Sequence, residues 1–228
     1  EKQMQRELGA WGASVHADVS EHCGGLLNDM VVDRNGRAYV GNFGFDLYGG
    51  ADPEPAVLVR VDPDGTVSVA AEDLLFPNGS VITPDGGTLI VGETAGARYT
   101  AFTIQPDGSL TDRRIWGQLA PTPPITTLAE TLSKLQSGPD GCALDAAGHI
   151  WSADEVAARC LRIAPGGEIV EEIAMPDGLD CFACMLGGED GRTLLICASP
   201  DFHPDARAAN HESVLLTTTV DVPHAGLP

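Results

Sequence analysis

Asn28-Asp29-Met30-Val31-Val32-Asp33-Arg34-Asn35-Gly36, Asn78-Gly79-Ser80-Val81-Ile82-Thr83-Pro84-Asp85-Gly86 and Asp140-Gly141-Cys142-Ala143-Leu144-Asp145-Ala146-Ala147-Gly148 are three versions of one phrase. Each opens on an oxygen-bearing side chain, runs through apolar residues, turns at glycine and continues as an apolar strand. A weaker copy starts near Phe182 and turns at Glu189-Asp190-Gly191. Glycine supplies the positive φ that ends such a turn, and Pro or Asp suits its earlier positions. A second kind of turn lies between the copies, at Asp62-Pro63-Asp64-Gly65, Gln105-Pro106-Asp107-Gly108 and Ala164-Pro165-Gly166-Gly167.

One turn of each kind joins four short strands rich in Val, Ile, Leu and Thr, as in Val31 to Val40 followed by Val57 to Ala70. The chain therefore reads as all-β, and its units recur at the spacing of propeller blades rather than of sandwich strands. The expected blades are 28–72, 77–119, 139–175 and 182–228. Met4 to Leu8 and Ser14 to Ala17, within 1–22, read as the outer hairpin of an earlier blade. The first strand of a blade lines the central channel, so Asn28, Asn78 and Asp140 are expected to converge at one mouth. The insertion 117–138 carries Leu128, Leu132 and Leu135 at helical spacing behind Thr126 and Thr127. A short capped helix is predicted there, as a lid or wall over that mouth.

Among the 228 residues, 33 acidic side chains outnumber 13 basic ones for a formal charge of −20, which repels nucleic acid rather than gathering it. No apolar run is long enough to suggest a membrane span, and no charged-then-apolar leader precedes Leu8, so a soluble protein without a membrane partner is expected. Six scattered cysteines suit reduced thiols in the cytoplasm, and the lone Cys181-x-x-Cys184 reads as buried strand cysteines. Trp11, Trp116 and Trp151 read as packing between blades. No Gly-x-Ser-x-Gly elbow supports a serine hydrolase, and the six histidines form no ligand pair.

Four ordered motifs carry a resemblance. They are Leu27-Asn28-Asp29-Met30-Val31-Val32-Asp33 with Gly36 to Asn42, Phe76-Pro77-Asn78-Gly79, Pro139-Asp140-Gly141 with His149 to Asp154, and Phe182 to Gly188. Together the chain resembles the SMP-30/gluconolactonase, or regucalcin-like, family of six-bladed β-propellers. The resemblance implies four-stranded blades, of which this chain supplies about four and a half and lacks the N-terminal one. It also implies one divalent metal on the tunnel axis, held by Asn78, Asp140 and a Glu expected from a segment absent here. A second polypeptide or a cleaved N-terminal segment is the expected partner that completes the ring. By the same resemblance, Asn28 contacts substrate or metal-bound water, and Asp46 aligns with a substrate-contacting carboxylate. Leu26 stands where the family has a basic residue, and Phe43, Phe45 and Tyr48 make a more apolar substrate pocket.

Amide and carboxylate oxygens are hard donors, which favour Ca²⁺ first and then Mg²⁺ or Mn²⁺, with Zn²⁺ accepted in sites of this family. Such a cation suits hydrolysis of a lactone or related cyclic ester, with Asp140 as ligand and general base beside Asn28. Two other readings stand beside it: a propeller that binds a small molecule or metal without turnover, and a strictosidine-synthase-like or paraoxonase-like enzyme.

Overall fold

In the computed structural model, which describes Gly12 and residues 14–226, the repeated phrase builds four antiparallel sheets, each a meander in sequence order. The first holds β1 (Leu27–Val32), β2 (Ala38–Asn42), β3 (Ala56–Val61) and β4 (Val67–Leu74). The second holds β5 (Pro77–Ile82), β6 (Thr88–Glu93), β7 (Arg98–Ile104) and β8 (Leu110–Gln118). The third holds β9 (Pro139–Leu144), β10 (Ile150–Asp154), β11 (Arg159–Ile163) and β12 (Ile169–Ala174). The fourth holds β13 (Asp180–Gly187), β14 (Thr193–Ser199) and β15 (Val214–Thr219). These are propeller blades, with β1, β5, β9 and β13 side by side as the innermost strands.

The turns form for the reason the sequence offers. Gly36 has φ 80° and donates its N–H to Asp33 O at 2.9 Å, and Gly65 has φ 84° and donates to Asp62 O at 2.9 Å. Two expectations fail at the ends. The fourth blade has three strands among the described residues: Val220 N–H still reaches Arg192 O beside β14 at 2.9 Å, and the chain then crosses to the third blade, where Ala225 N–H reaches Leu144 O at 2.9 Å. This tail straps the fourth blade to the third instead of adding a strand. Ser14 to Ala17 forms no strand, while Met4 to Leu8 and Trp11 lie outside the described residues.

The core lies between blades. Tyr39, Leu58 and Leu74 of the first pack on Leu89, Val91 and Phe102 of the second, and Trp151 and Cys160 of the third pack on Cys181, Leu194 and Ile196 of the fourth. Each such side chain contributes about 1.5–3 kcal/mol by leaving water. All six cysteines are free thiols, and Cys142, Cys160, Cys181 and Cys184 are buried.

Each inner strand breaks register at the same place. Pairing skips from Leu27 to Met30 in β1, from Pro77 to Ser80 in β5 and from Cys181 to Ala183 in β13, and β9 skips from Pro139 to Cys142. These are bulges, which turn a side chain out of the pleat. Asn28, Asn78, Asp140 and Phe182 occupy them. Gly79 and Gly141 therefore lie inside strands rather than in turns, and they serve close approach. A Cβ on Gly79 would fall on the Asp140 carbonyl oxygen and 2.9 Å from Cys142 N, and one on Gly141 would lie 2.8 Å from Ala183 Cβ.

Candidate active site

The bulges deliver their side chains to one cavity of about 390 Å³, large enough for a small ligand. Asn28, Asn78, Asp140 and Phe182 line it from the four inner strands. Phe43, Phe45 and Tyr48 come from the loop after β2, so the structure brings together every residue expected at the site except Asp46. That carboxylate is exposed and spends an oxygen on its own turn, accepting Gly49 N–H at 2.9 Å. Asp46 is thus a turn residue in this arrangement, outside the cavity lining.

A buried polar residue ends the second strand of three blades, and in two of them it fixes the approach to the bulge. Asn42, Glu93 and Asp154 are all fully buried. Asn42 Nδ2 donates to Val57 O at 2.7 Å. Glu93 accepts Leu75 N–H at 2.7 Å and Arg98 Nε at 2.9 Å, which holds the run leading to Asn78. Asp154 accepts Gly138 N–H and the Ser137 hydroxyl, both at 2.9 Å, and Arg159 Nε at 3.1 Å, which holds the run leading to Asp140. Between these runs Phe76 sits at φ 61°, a left-handed conformation that costs a bulky residue energy and places its ring in the cavity wall.

Asn78 is 4% exposed, and its amide has a single orientation set by a relay. The Thr94 hydroxyl gives its proton to Pro139 O at 2.7 Å and so accepts from Asn78 Nδ2 at 3.1 Å. Asn78 Oδ1 is left buried without a partner. An unpaired buried acceptor costs roughly 1–3 kcal/mol, so this oxygen is built for something that binds beside it.

Asp140, partly buried, is the neighbouring donor. Burial first, and then the Glu155 and Asp29 carboxylates, hold its carboxyl well above the ordinary range, opposed by the Asn78 amide and Gly141 N–H. Glu155 also lines the cavity and is pushed up to about 7 by burial and by Asp180 and Asp154. Asp180, a third lining carboxylate, is raised by burial and by Asp201. Among the described residues no three His, Cys, Asp or Glu side chains meet as a metal cluster. The donor set is instead mixed, with one oriented amide oxygen beside a carboxylate that lacks a positive neighbour, and these residues fit a hard divalent cation.

The far wall is apolar. The helix α1 (Leu128–Lys134) starts at Thr127, whose hydroxyl accepts Glu130 N–H at 3.3 Å, as its sequence predicts. It is tied to the loop after β2 by Asp52 Oδ1, which accepts Leu128 N–H at 3.0 Å, and it presents Leu128, Thr131 and Leu132 to the cavity. Tyr48 OH reaches Phe202 O at 3.3 Å across the rim. His203 is exposed beside a second helix, α2 (Pro204–Ala209), and does not line the cavity.

Sequence reasoning missed Glu155, Asp180, Phe76, Thr94 and Phe202. Thr94, Glu155 and Phe202 come from the stretches after second strands, and only the repeat, read blade against blade, could have pointed to them.

The structure superposes with a TM-score of 0.70 on a calcium-binding protein, regucalcin, from Agrobacterium tumefaciens, at 21% identity over 94% of this chain and 68% of that one. A gluconolactonase from Xanthomonas campestris is 27% identical, with a TM-score of 0.57 over 76% of this chain and 54% of that one. In sequence, a 6-deoxy-6-sulfogluconolactonase from Pseudomonas putida is 29% identical over 204 residues, 89% of this chain. The chain spans 64% of the length of that relative. Residues 4–199 match the SMP-30/Gluconolactonase/LRE-like region. A match over most of the chain, on blades whose inner-strand bulges carry the Asn-Gly and Asp-Gly pairs, makes this protein a member of the SMP-30/gluconolactonase/LRE-like family.

Proposed function

We propose that the cavity hydrolyses a lactone or related cyclic ester with a divalent cation, Ca²⁺ first, held by Asn78 Oδ1 and the Asp140 carboxylate. The observation that carries the reading is the buried, oriented and unpartnered Asn78 Oδ1 beside a carboxyl raised by burial and by the Glu155 and Asp29 carboxylates. Relatives named as lactonases support the reaction class. A cation bound there would polarise the ester carbonyl and acidify a water.

This chain's own groups supply the rest. The Asp140 carboxylate takes a proton from the attacking water as general base, a role suited to a carboxyl that burial holds above its ordinary range. Asn28 commits its Nδ2 to Pro77 O at 3.3 Å, which leaves Oδ1 to accept from a substrate hydroxyl or from water. Phe43, Phe45 and Tyr48 hold the body of the substrate and exclude water from the bond under attack. Six unpaired thiols suit a reducing compartment, and the protein is read as cytoplasmic. Further blade-forming polypeptide, in the same chain or another, would cover Leu27, Met30 and Met185, which are 51%, 59% and 47% exposed on inner strands. It could also supply another carboxylate to the cation.

Chelation followed by add-back of Ca²⁺ tests the reading, with Asp140→Ala alongside. Lactone hydrolysis should vanish in both cases while the β-rich circular dichroism spectrum persists. Undiminished hydrolysis after thorough chelation would sink the proposal. Cation binding without turnover on a broad lactone panel would show a binding propeller instead.

A further inference from the structure

We infer that the substrate of this cavity is a neutral lactone bearing an alkyl or aryl group, rather than a polyhydroxylated or anionic sugar lactone. The inference rests on the lactonase reading for its reaction but on the cavity walls for its selectivity.

Asn28, Asn78, Asp140 and Asp180 line the cavity from inner strands, and Thr94 and Glu155 from just beyond second strands. The remaining lining is mostly apolar, and its hydroxyls are already engaged, Thr131 with Pro124 O and Tyr48 with Phe202 O. Phe43 and Phe76 stack with centroids 4.5 Å apart, and Phe45 meets Phe76 edge-on at 5.9 Å. Leu128 and Leu132 of α1 extend this surface. A sugar lactone carries hydroxyls all round its ring. Those turned toward Phe43, Phe76 and Leu132 would lose water without gaining a partner, at about tenfold or more in affinity for each. An alkyl or phenyl group in the same place gains by burial, and a flat ring can lie against the stacked pair.

Charge points the same way. Among the described residues no Lys, Arg or His lines the cavity, whereas Asp140, Glu155 and Asp180 do. A carboxylate or sulfonate on the substrate would face three carboxyl groups with no basic partner, and the chain's formal charge of −20 repels it before entry. The α1 side of the wall is well placed to sense chain length, because Leu132 is 48% exposed at its edge.

Calorimetry on the full chain with Ca²⁺ present tests the selectivity apart from the chemistry. The probes are non-hydrolysable lactams: one phenyl-substituted, one with a short alkyl chain, one polyhydroxylated and one bearing a carboxylate. The two apolar probes should bind at least tenfold tighter than the others. Phe43→Ser should erase this preference, and Leu132→Gln, a change at a half-exposed helix position that spares folding, should reduce it severalfold for the alkyl probe. Equal or tighter binding of the polyhydroxylated or carboxylate probe would overturn the inference, as would a preference indifferent to both substitutions. Hydrolysis of the matching lactones is then measured separately. Apolar preference in binding without turnover of any lactone would remove the hydrolase reading and leave the selectivity standing, while best turnover of the polyhydroxylated lactone would do the reverse.

Discussion

Gly79→Ala separates two uses of glycine that a sequence cannot tell apart. The added Cβ would fall on the Asp140 carbonyl oxygen and 2.9 Å from both Cys142 N and Gly141 Cα. All three obstacles are backbone of β9, so no side chain can swing aside. Restoring ordinary contact requires β5 and β9 to separate by about 1 Å, the scale at which an overpacked core loses about 3 kcal/mol. That is a large fraction of the roughly 5–15 kcal/mol that holds a typical domain together. The same movement separates Asn78 from Asp140, and a misplacement of about 1 Å can cost roughly 100-fold in rate. Gly148→Ala is the control. Gly148 has φ 78° with nothing near the added Cβ, so its cost is conformational, about 1–2 kcal/mol, and it lies in the β9–β10 turn at the opposite end of the strand from Asp140. Urea unfolding and Ca²⁺ titration should show Gly79→Ala losing stability and cation affinity together, and Gly148→Ala losing stability alone. The reasoning is wrong if Gly79→Ala unfolds within about 0.5 kcal/mol of the unaltered protein and binds Ca²⁺ as tightly.

Two further outcomes follow from the same geometry. Glu155, raised from 4.5 to about 7, favours folding when protonated, so its contribution is complete below pH 4.5 and is lost as pH rises through about 7. With cations chelated, Glu155→Gln should be more stable than the unaltered protein at pH 8 by about 3 kcal/mol and show no such gain at pH 4, as read from urea midpoints. Thr94→Val keeps the shape but removes the hydroxyl between Asn78 Nδ2 and Pro139 O. It should lower stability by about 2 kcal/mol and weaken Ca²⁺ binding about tenfold or more, since the Asn78 amide is then free to rotate; unchanged affinity by calorimetry would show that the relay does not orient it.

The blades were legible because their signals are local. A glycine that closes a turn, as Gly36 and Gly65 do, can be read from four residues, and Val-Ile-Leu alternation from six. Asn78 and Asp140 were legible because each copy of the phrase repeats their position. What the sequence concealed depends on contacts between blades. Thr94 matters through Pro139 of the next blade, and Phe202 closes the rim against Tyr48, far away in the chain. Asp46 misled for the opposite reason: a carboxylate three residues before a glycine has a local use, and the Gly49 N–H took it. The fourth blade, expected over 182–228 with four strands, shows three among the described residues, and the segment around Pro223 bonds instead to backbone of the third blade.

The shared bulge also sets what this protein can become. Because the two bulge residues are set against a single partner residue, their chemistry is uncoupled from the alternation that fills the core. Asn, Asp and Phe already stand at equivalent points on different blades without altering the pleat around them. A substitution such as Phe182→Asp would exchange one tool for another at that rim, leaving the four inner strands in register. Each blade thus carries an interchangeable fitting, and new reactivity can arise one blade at a time.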